Sequence, residues 1–149
     1  MSNAVELHRV LRARDERVYR AFLDAAALAR WLPPYGFVGA VYEMDARVGG
    51  GHGMSFTNFS TGSSHSFKRR FVELTPYARL VYTDRFDDPG LAGEINVIVT
   101  LRPVVCGTEL QIKQSGIPDV IPAEMCYLGW QESLTMLTHL VEPNIPDGT

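Results

Sequence analysis

Arg69 and Asp84 are the first candidates for chemistry, because the chain between them reads as a hairpin. Thr75-Pro76-Tyr77-Ala78 supplies turn residues between two runs of alternating apolar character. If Leu74 pairs with Arg79, then Phe67 faces Phe86, Arg69 faces Asp84 and Phe71 faces Tyr82. The opposite face then carries Lys68 with Arg85, Arg70 with Thr83 and Val72 with Val81. The first face is the more aromatic and is expected to look inward. Opposite charges across a strand pair contribute roughly 0.2–1 kcal/mol when exposed. Once buried, their desolvation can outweigh their attraction, so a pair retained there can serve a ligand. Arg69 and Asp84 are therefore read either as a plain cross-strand pair or as a polar anchor inside a cavity.

His52 and His65 flank a glycine-rich turn and a Ser/Gly loop, and both are expected to be loop histidines. A catalytic histidine needs a partner to fix its tautomer and a substrate within reach, and no nearby spacing supplies either. His52 shares a strand face with Met54 and Phe56, which keeps a role at a pocket rim open. Cys126 falls on one helix face with Trp130 and reads as a small apolar filler. A nucleophilic role would need a positive charge nearby, which Arg69 supplies only if a cavity brings the two together. The four histidines and two cysteines lack any short metal-ligand spacing, so neither a metal nor another cofactor is expected. Gly49-Gly50-Gly51 lacks a following Lys-Ser/Thr and lies between strands, so it is not a phosphate loop. Glu43 and Asp45 share one strand face and are expected in solvent.

The elements that must position these groups follow from periodicity. Val5 to Arg12 alternates as a half-buried strand. Asp15 caps a helix over Glu16 to Leu23, and Asp24 caps a second over Ala25 to Leu32, which Pro33 and Pro34 end. From Phe37 the period drops to two. Strands are expected at Phe37 to Ala46, His52 to Phe59, Ser66 to Leu74, Arg79 to Phe86, Glu94 to Val104 and Thr108 to Gln114. The last run, Pro122 to Val141, places Cys126, Trp130, Leu134, Leu137 and Val141 on one helical face. Gly129 inside that helix is costly by ~1 kcal/mol, and close approach to another backbone would explain it. Strands joined by short turns pair antiparallel, and a curved sheet of about seven strands can wrap around the long helix. The expected fold is α+β.

The totals exclude several classes. The chain of 149 residues suits one domain, placed at residues 5–143 with a polar tail from Asn144 to Thr149. Met1 to Ala4 reads as containing a cloning remnant, outside the fold. A net charge of −3 gives no nucleic-acid footprint. No apolar run approaches the ~20 residues of a membrane span. The two unspaced cysteines point to reduced thiols and a cytoplasmic protein.

Several local strings carry a resemblance. They are Val18-Tyr19-Arg20-Ala21-Phe22, Leu28-Ala29-Arg30-Trp31-Leu32, Arg47-Val48-Gly49-Gly50 and Arg79-Leu80-Val81-Tyr82-Thr83. Gly107-Thr108-Glu109-Leu110 and Gly129-Trp130-Gln131-Glu132-Ser133-Leu134 complete the set. In this order they resemble the SRPBCC superfamily of START-related, helix-grip proteins. More narrowly they resemble the bacterial-type branch named after the activator of the heat-shock protein 90 ATPase. The resemblance implies a cavity between sheet and long helix that takes apolar molecules, and, in some relatives, cyclase or dehydratase activity. The expected function is binding of an apolar or lipid-like small molecule. The ligand-binding set is Trp31, Met54, Phe56, Phe67, Arg69, Phe71, Tyr82, Asp84, Cys126 and Trp130, with no catalytic residue assigned. Trp31 and Trp130 read first as core anchors, with cavity lining as the other option. Two alternatives stay open: an enzyme of cyclase, dehydratase or hydrolase type, and a chaperone-related interaction module. A symmetric homodimer is the commonest assembly if the chain self-associates.

Overall fold

The computed structural model describes residues 3–148; Met1, Ser2 and Thr149 of the expected remnant and tail lie outside them. Seven strands form one antiparallel sheet: β1 (Asn3–Leu11), β2 (Phe37–Met44), β3 (Gly51–Asn58), β4 (Ser64–Thr75), β5 (Arg79–Phe86), β6 (Ile95–Val104) and β7 (Gly107–Ile117). Their spatial order is β1-β7-β6-β5-β4-β3-β2. Only β1 leaves sequence order, crossing to the far edge beside β7. The two short helices that permit this crossing are α1 (Asp15–Ala21) and α2 (Ala25–Trp31), and α3 (Ala123–Val141) closes the chain. This is the expected α+β helix-grip arrangement, a curved sheet around a long helix. β1 starts at Asn3 rather than Val5, and the Asn3 side chain donates to the Ile121 carbonyl at 2.6 Å.

Local chemistry explains the element ends. The Asp24 carboxylate accepts from the Ala27 amide at 2.9 Å, capping α2 as its residue type predicts. Arg17 on α1 donates to the Val141 and Pro143 carbonyls, satisfying acceptors that the end of α3 leaves free. The hairpin between β4 and β5 is one residue tighter than expected. Thr75 pairs with Arg79 and Leu74 with Leu80, and Tyr77 takes a left-handed φ of 67° in the loop. A bulge between Phe71 and Glu73 absorbs the extra residue, so Glu73 rather than Val72 faces Val81. Beyond the bulge the pairs Phe71–Tyr82, Arg69–Asp84 and Phe67–Phe86 stand as the hairpin reading placed them.

The core lies between the inner face of the sheet and the helices. Leu7, Leu11, Leu101, Leu110 and Ile112 of the sheet, Leu134, Leu137 and Val141 of α3, and Val18, Phe22 and Trp31 of the first helical region form one buried cluster. Trp31 is fully buried, donates its indole N–H to the Ala21 carbonyl at 2.9 Å and meets Phe22 edge to face. It is a core anchor.

Candidate functional site

The site grows from one row of residues running across five strands. Met44 on β2 pairs with His52 on β3, His52 with Arg69 on β4, Arg69 with Asp84 on β5, and Asp84 with Ile95 on β6. Alternation along each strand turns this row inward. Gly51 lets β3 lie close enough, since a Cβ there would sit 1.7 Å from the Arg69 carbonyl oxygen.

Arg69 is held on several sides. Its Nε and Nη2 donate to Asp84 Oδ1 and Oδ2 at 2.8 and 3.1 Å, a two-point fork. The Tyr82 ring lies 3.6 Å from the guanidinium carbon, and the Phe67 ring 5.9 Å away. The side chains of Arg69 and Asp84 are 2% and 14% exposed, so the pair sits out of bulk water. Burial alone would lower the Arg69 guanidinium, but Asp84 and Tyr82 together hold it above its ordinary value, charged. Burial pushes the Tyr82 phenol upward, keeping it protonated.

His52 stands in the strand expected over His52 to Phe59, and the reading of it as a loop histidine fails. It lies in β3, 1% exposed, between the Phe67 and Phe71 rings. Burial, then the Arg69 charge, lowers its pKa to about 3, so the ring is neutral at ordinary pH. The three glycines read as one turn, whereas Gly51 already belongs to the strand. His65 is likewise in a strand, β4, where it is exposed opposite Phe56.

A pocket of about 200 Å³ opens between the sheet and the first turns of α3. Phe56, Phe67, Phe86 and Ile95 line the sheet side, and Cys126, Gly129 and Trp130 the helix side. His65 stands at its edge, while Arg69 and Asp84 contribute its charged wall. Trp130 fixes the helix there by donating its indole N–H to Gln114 Oε1 at 3.0 Å. Ser133 donates to the Leu32 carbonyl, and the Tyr35 amide donates to Glu132 at 3.1 Å, fastening the chain after α2 to the same helix. A broader groove of about 590 Å³ lies among Glu43, Lys68, Arg70 and Arg85. Its ion pairs stand in solvent, with Arg85 on Glu94 at 2.8 Å and Lys68 4.0 Å from Glu43.

A family model described as "Activator of Hsp90 ATPase homolog 1-like protein" matches residues 12–142. The chain belongs to this family. A Chromobacterium violaceum protein of known crystal structure is 58% identical, with a TM-score of 0.93, over 95% of this chain and 99% of that one. A Rhizobium loti protein is 26% identical with a TM-score of 0.77, over 93% and 96% of the two chains. A Rhodobacter sphaeroides protein at 24% identity and a TM-score of 0.79, over 92% and 90%, shares the fold. No curated protein matches.

In this Hsp90-activator-homologue domain, six of the ten residues expected to bind a ligand line the pocket: Phe56, Phe67, Arg69, Asp84, Cys126 and Trp130. Trp31, Met54, Phe71 and Tyr82 do not; all four are buried core residues behind it. Burial raises the Cys126 thiol, so the shared pocket with Arg69 does not make it a ready nucleophile. Among the described residues, no three His, Cys, Asp or Glu side chains converge as a metal group, and no helix is long and apolar enough to cross a membrane. Gly129 was missed as a site residue and misread as a close backbone approach. A Cβ there would meet nothing within 4 Å, so the glycine leaves pocket space open. Its excess cost in a helix was the available signal. Leu32, Pro34 and Gln114 were also missed, because only the tertiary fold brings them to one place.

Proposed function

We propose that this domain binds a small, largely apolar molecule between the sheet and the first turns of α3, with Arg69–Asp84 as the polar anchor. One observation carries the reading: an aromatic pocket borders a buried ion pair whose Arg69 Nη1 has no protein partner among the described residues. Small-ligand sites combine mostly apolar walls with a few placed polar groups. At about 200 Å³ the space suits a small occupant, since a dry cavity of ~150 Å³ already accepts benzene.

Binding without catalysis fits the groups present. Both Asp84 oxygens are engaged by Arg69. The His65 ring has no hydrogen-bond partner among the described residues to fix its tautomer. The two unpaired cysteines, Cys106 and Cys126, suit a reducing, cytoplasmic setting.

The test is native mass spectrometry of protein purified from cells, followed by organic extraction. The expected result is a small apolar passenger on the wild type that is lost from Gly129→Leu, whose side chain would occupy the open space. A passenger held equally by both proteins would overturn the pocket assignment. So would an empty protein that gains no thermal stability from any member of a panel of small aromatic and lipid compounds.

A further inference from the structure

A cleft of about 460 Å³ lies at the far end of α3 from the pocket, between the chain that leaves β1 and the residues that follow α3. Arg12, Arg14, Arg17 and Arg20 line it together with Glu16 and Glu142. Arg17 and Arg20 stand three residues apart on α1 and so share a helical face. Arg17 is fixed by its bonds to the Val141 and Pro143 carbonyls, and the Arg12 amide donates to Glu142 at 2.9 Å. Arg12, Arg14 and Arg20 are exposed, and their guanidiniums have no protein partner among the described residues.

Four guanidiniums against two carboxylates leave this cleft at +2, on a chain whose net charge is −3. An anion is drawn to this end of the molecule. The groove on the outer face of the sheet differs, because Lys68 and Arg85 there already face Glu43 and Glu94. In the cleft, Glu16 and Glu142 sit among the arginines and form an ion pair with none of them among the described residues. A single carboxylate therefore does not engage these forks. A phosphate group offers more, since its two charges and three acceptor oxygens let several guanidiniums converge on one centre. A second cleft, of about 660 Å³, shares Arg12, Arg14 and Glu16 with the first and runs on to Val104 and Val105 at the β6–β7 turn. Val105 is fully exposed, an apolar shelf beside the arginines. These walls are concave, which suits a small molecule rather than a flat membrane surface.

We infer that this cleft binds a small phosphate monoester, its phosphate held by Arg12, Arg14 and Arg20 and its organic part laid along Val104 and Val105. Arg17 keeps its bonds to the end of α3 and adds a fixed positive wall. The site shares no residue with the pocket, so either reading stands if the other fails.

Phenyl phosphate, benzoate and inorganic phosphate, titrated into the wild-type protein at about pH 8 and physiological salt, test this with the arginine Nε–H resonances followed by NMR. Phenyl phosphate should shift Arg12, Arg14 and Arg20 saturably and leave Arg70 in place, an exposed arginine without an ion pair on the outer face of the sheet. It should bind at least about tenfold tighter than benzoate, which carries one charge, and about threefold or more tighter than inorganic phosphate, which lacks the ring. Arg14→Lys/Arg20→Lys keeps the charge but removes the forks, and should weaken phenyl phosphate about tenfold. Shifts at Arg70 equal to those in the cleft would reduce the binding to general surface attraction and overturn the inference. Benzoate matching phenyl phosphate on the wild type, or inorganic phosphate matching it, would overturn the phosphate or the ester assignment in turn, whether or not the variant folds. Vesicles of phosphatidylglycerol should not sediment the protein. Sedimentation without saturable binding of phenyl phosphate would assign the arginines to a membrane surface instead.

Discussion

From Trp130 to Val141, α3 buries Trp130, Ser133, Leu134, Leu137 and Val141 against the sheet; from Ala123 to Gly129 it buries none of its residues. The same helix crosses the same sheet in both stretches. The first stretch shares one buried core with Leu7, Leu11, Leu101 and Leu110 of the sheet, all closely packed branched side chains. Opposite the second lie Phe67, Phe86 and the ion pair of Arg69 and Asp84, across the pocket from a glycine and a half-buried cysteine. The difference lies in side-chain volume and in polarity. One end is filled for stability, and the other holds space that the chain's own residues do not fill.

The sharpest contrast between the ends should appear with pH. His52 sits on the polar side with its pKa lowered to about 3, against about 6.5 when unfolded. Between those values the unfolded chain binds the extra proton, so stability rises with pH there. The contribution is complete above about pH 6.5 and is lost as pH falls toward 3. The expected loss is up to roughly 5 kcal/mol, at 1.36 kcal/mol per pKa unit. Urea melts of the wild type and His52→Phe across this range should differ in slope, and parallel curves would show that His52 does not titrate as its burial demands.

Removing one member of the ion pair should cost nearly as much. Asp84→Ala leaves a buried guanidinium unpaired and should destabilise by about 3–5 kcal/mol. The double variant Arg69→Met/Asp84→Leu removes both charges and should recover most of that loss. A double variant no more stable than the single one would mean that the pair is itself a stabilising element. At the filled end, Leu137→Ala should cost about 2–5 kcal/mol by leaving a cavity, whereas Cys126→Ala over the pocket should cost less than about 1 kcal/mol. Equal costs would erase the distinction between the two halves of α3.

Gly129→Ala gives the smallest effect and the opposite sign. With nothing within 4 Å of the added methyl, the helix should gain about 1 kcal/mol, read as a higher melting temperature. A loss instead would restore the close approach that the sequence suggested.

Much of this arrangement is legible in the residues, and unevenly. The periods of two and 3.6 place the strands and helices, because one buried face imposes them. The Arg69–Asp84 pairing survived an error in its derivation: the turn is one residue shorter than assumed, and the bulge beside Val72 restores the register. Alternation cannot reveal such a bulge, since it depends on local backbone geometry. The glycine run before His52 reads as a turn, whereas Gly51 belongs to β3 and lies against the backbone of Arg69 beside it. Trp31, Met54, Phe71 and Tyr82 share the inward side with the pocket residues, so their types could not separate core from cavity. That separation is set by where α3 stands off the sheet, and the stand-off arises from packing between residues distant in the chain.

The most direct measurement is a crystal of the protein soaked in bromobenzene, with the bromine located by its anomalous signal. An open apolar pocket predicts bromine density between Phe67, Phe86 and Trp130, on the helix side bounded by Cys126 and Gly129. Rings of Phe67 or Trp130 filling that space, with no bromine inside the protein, would contradict it.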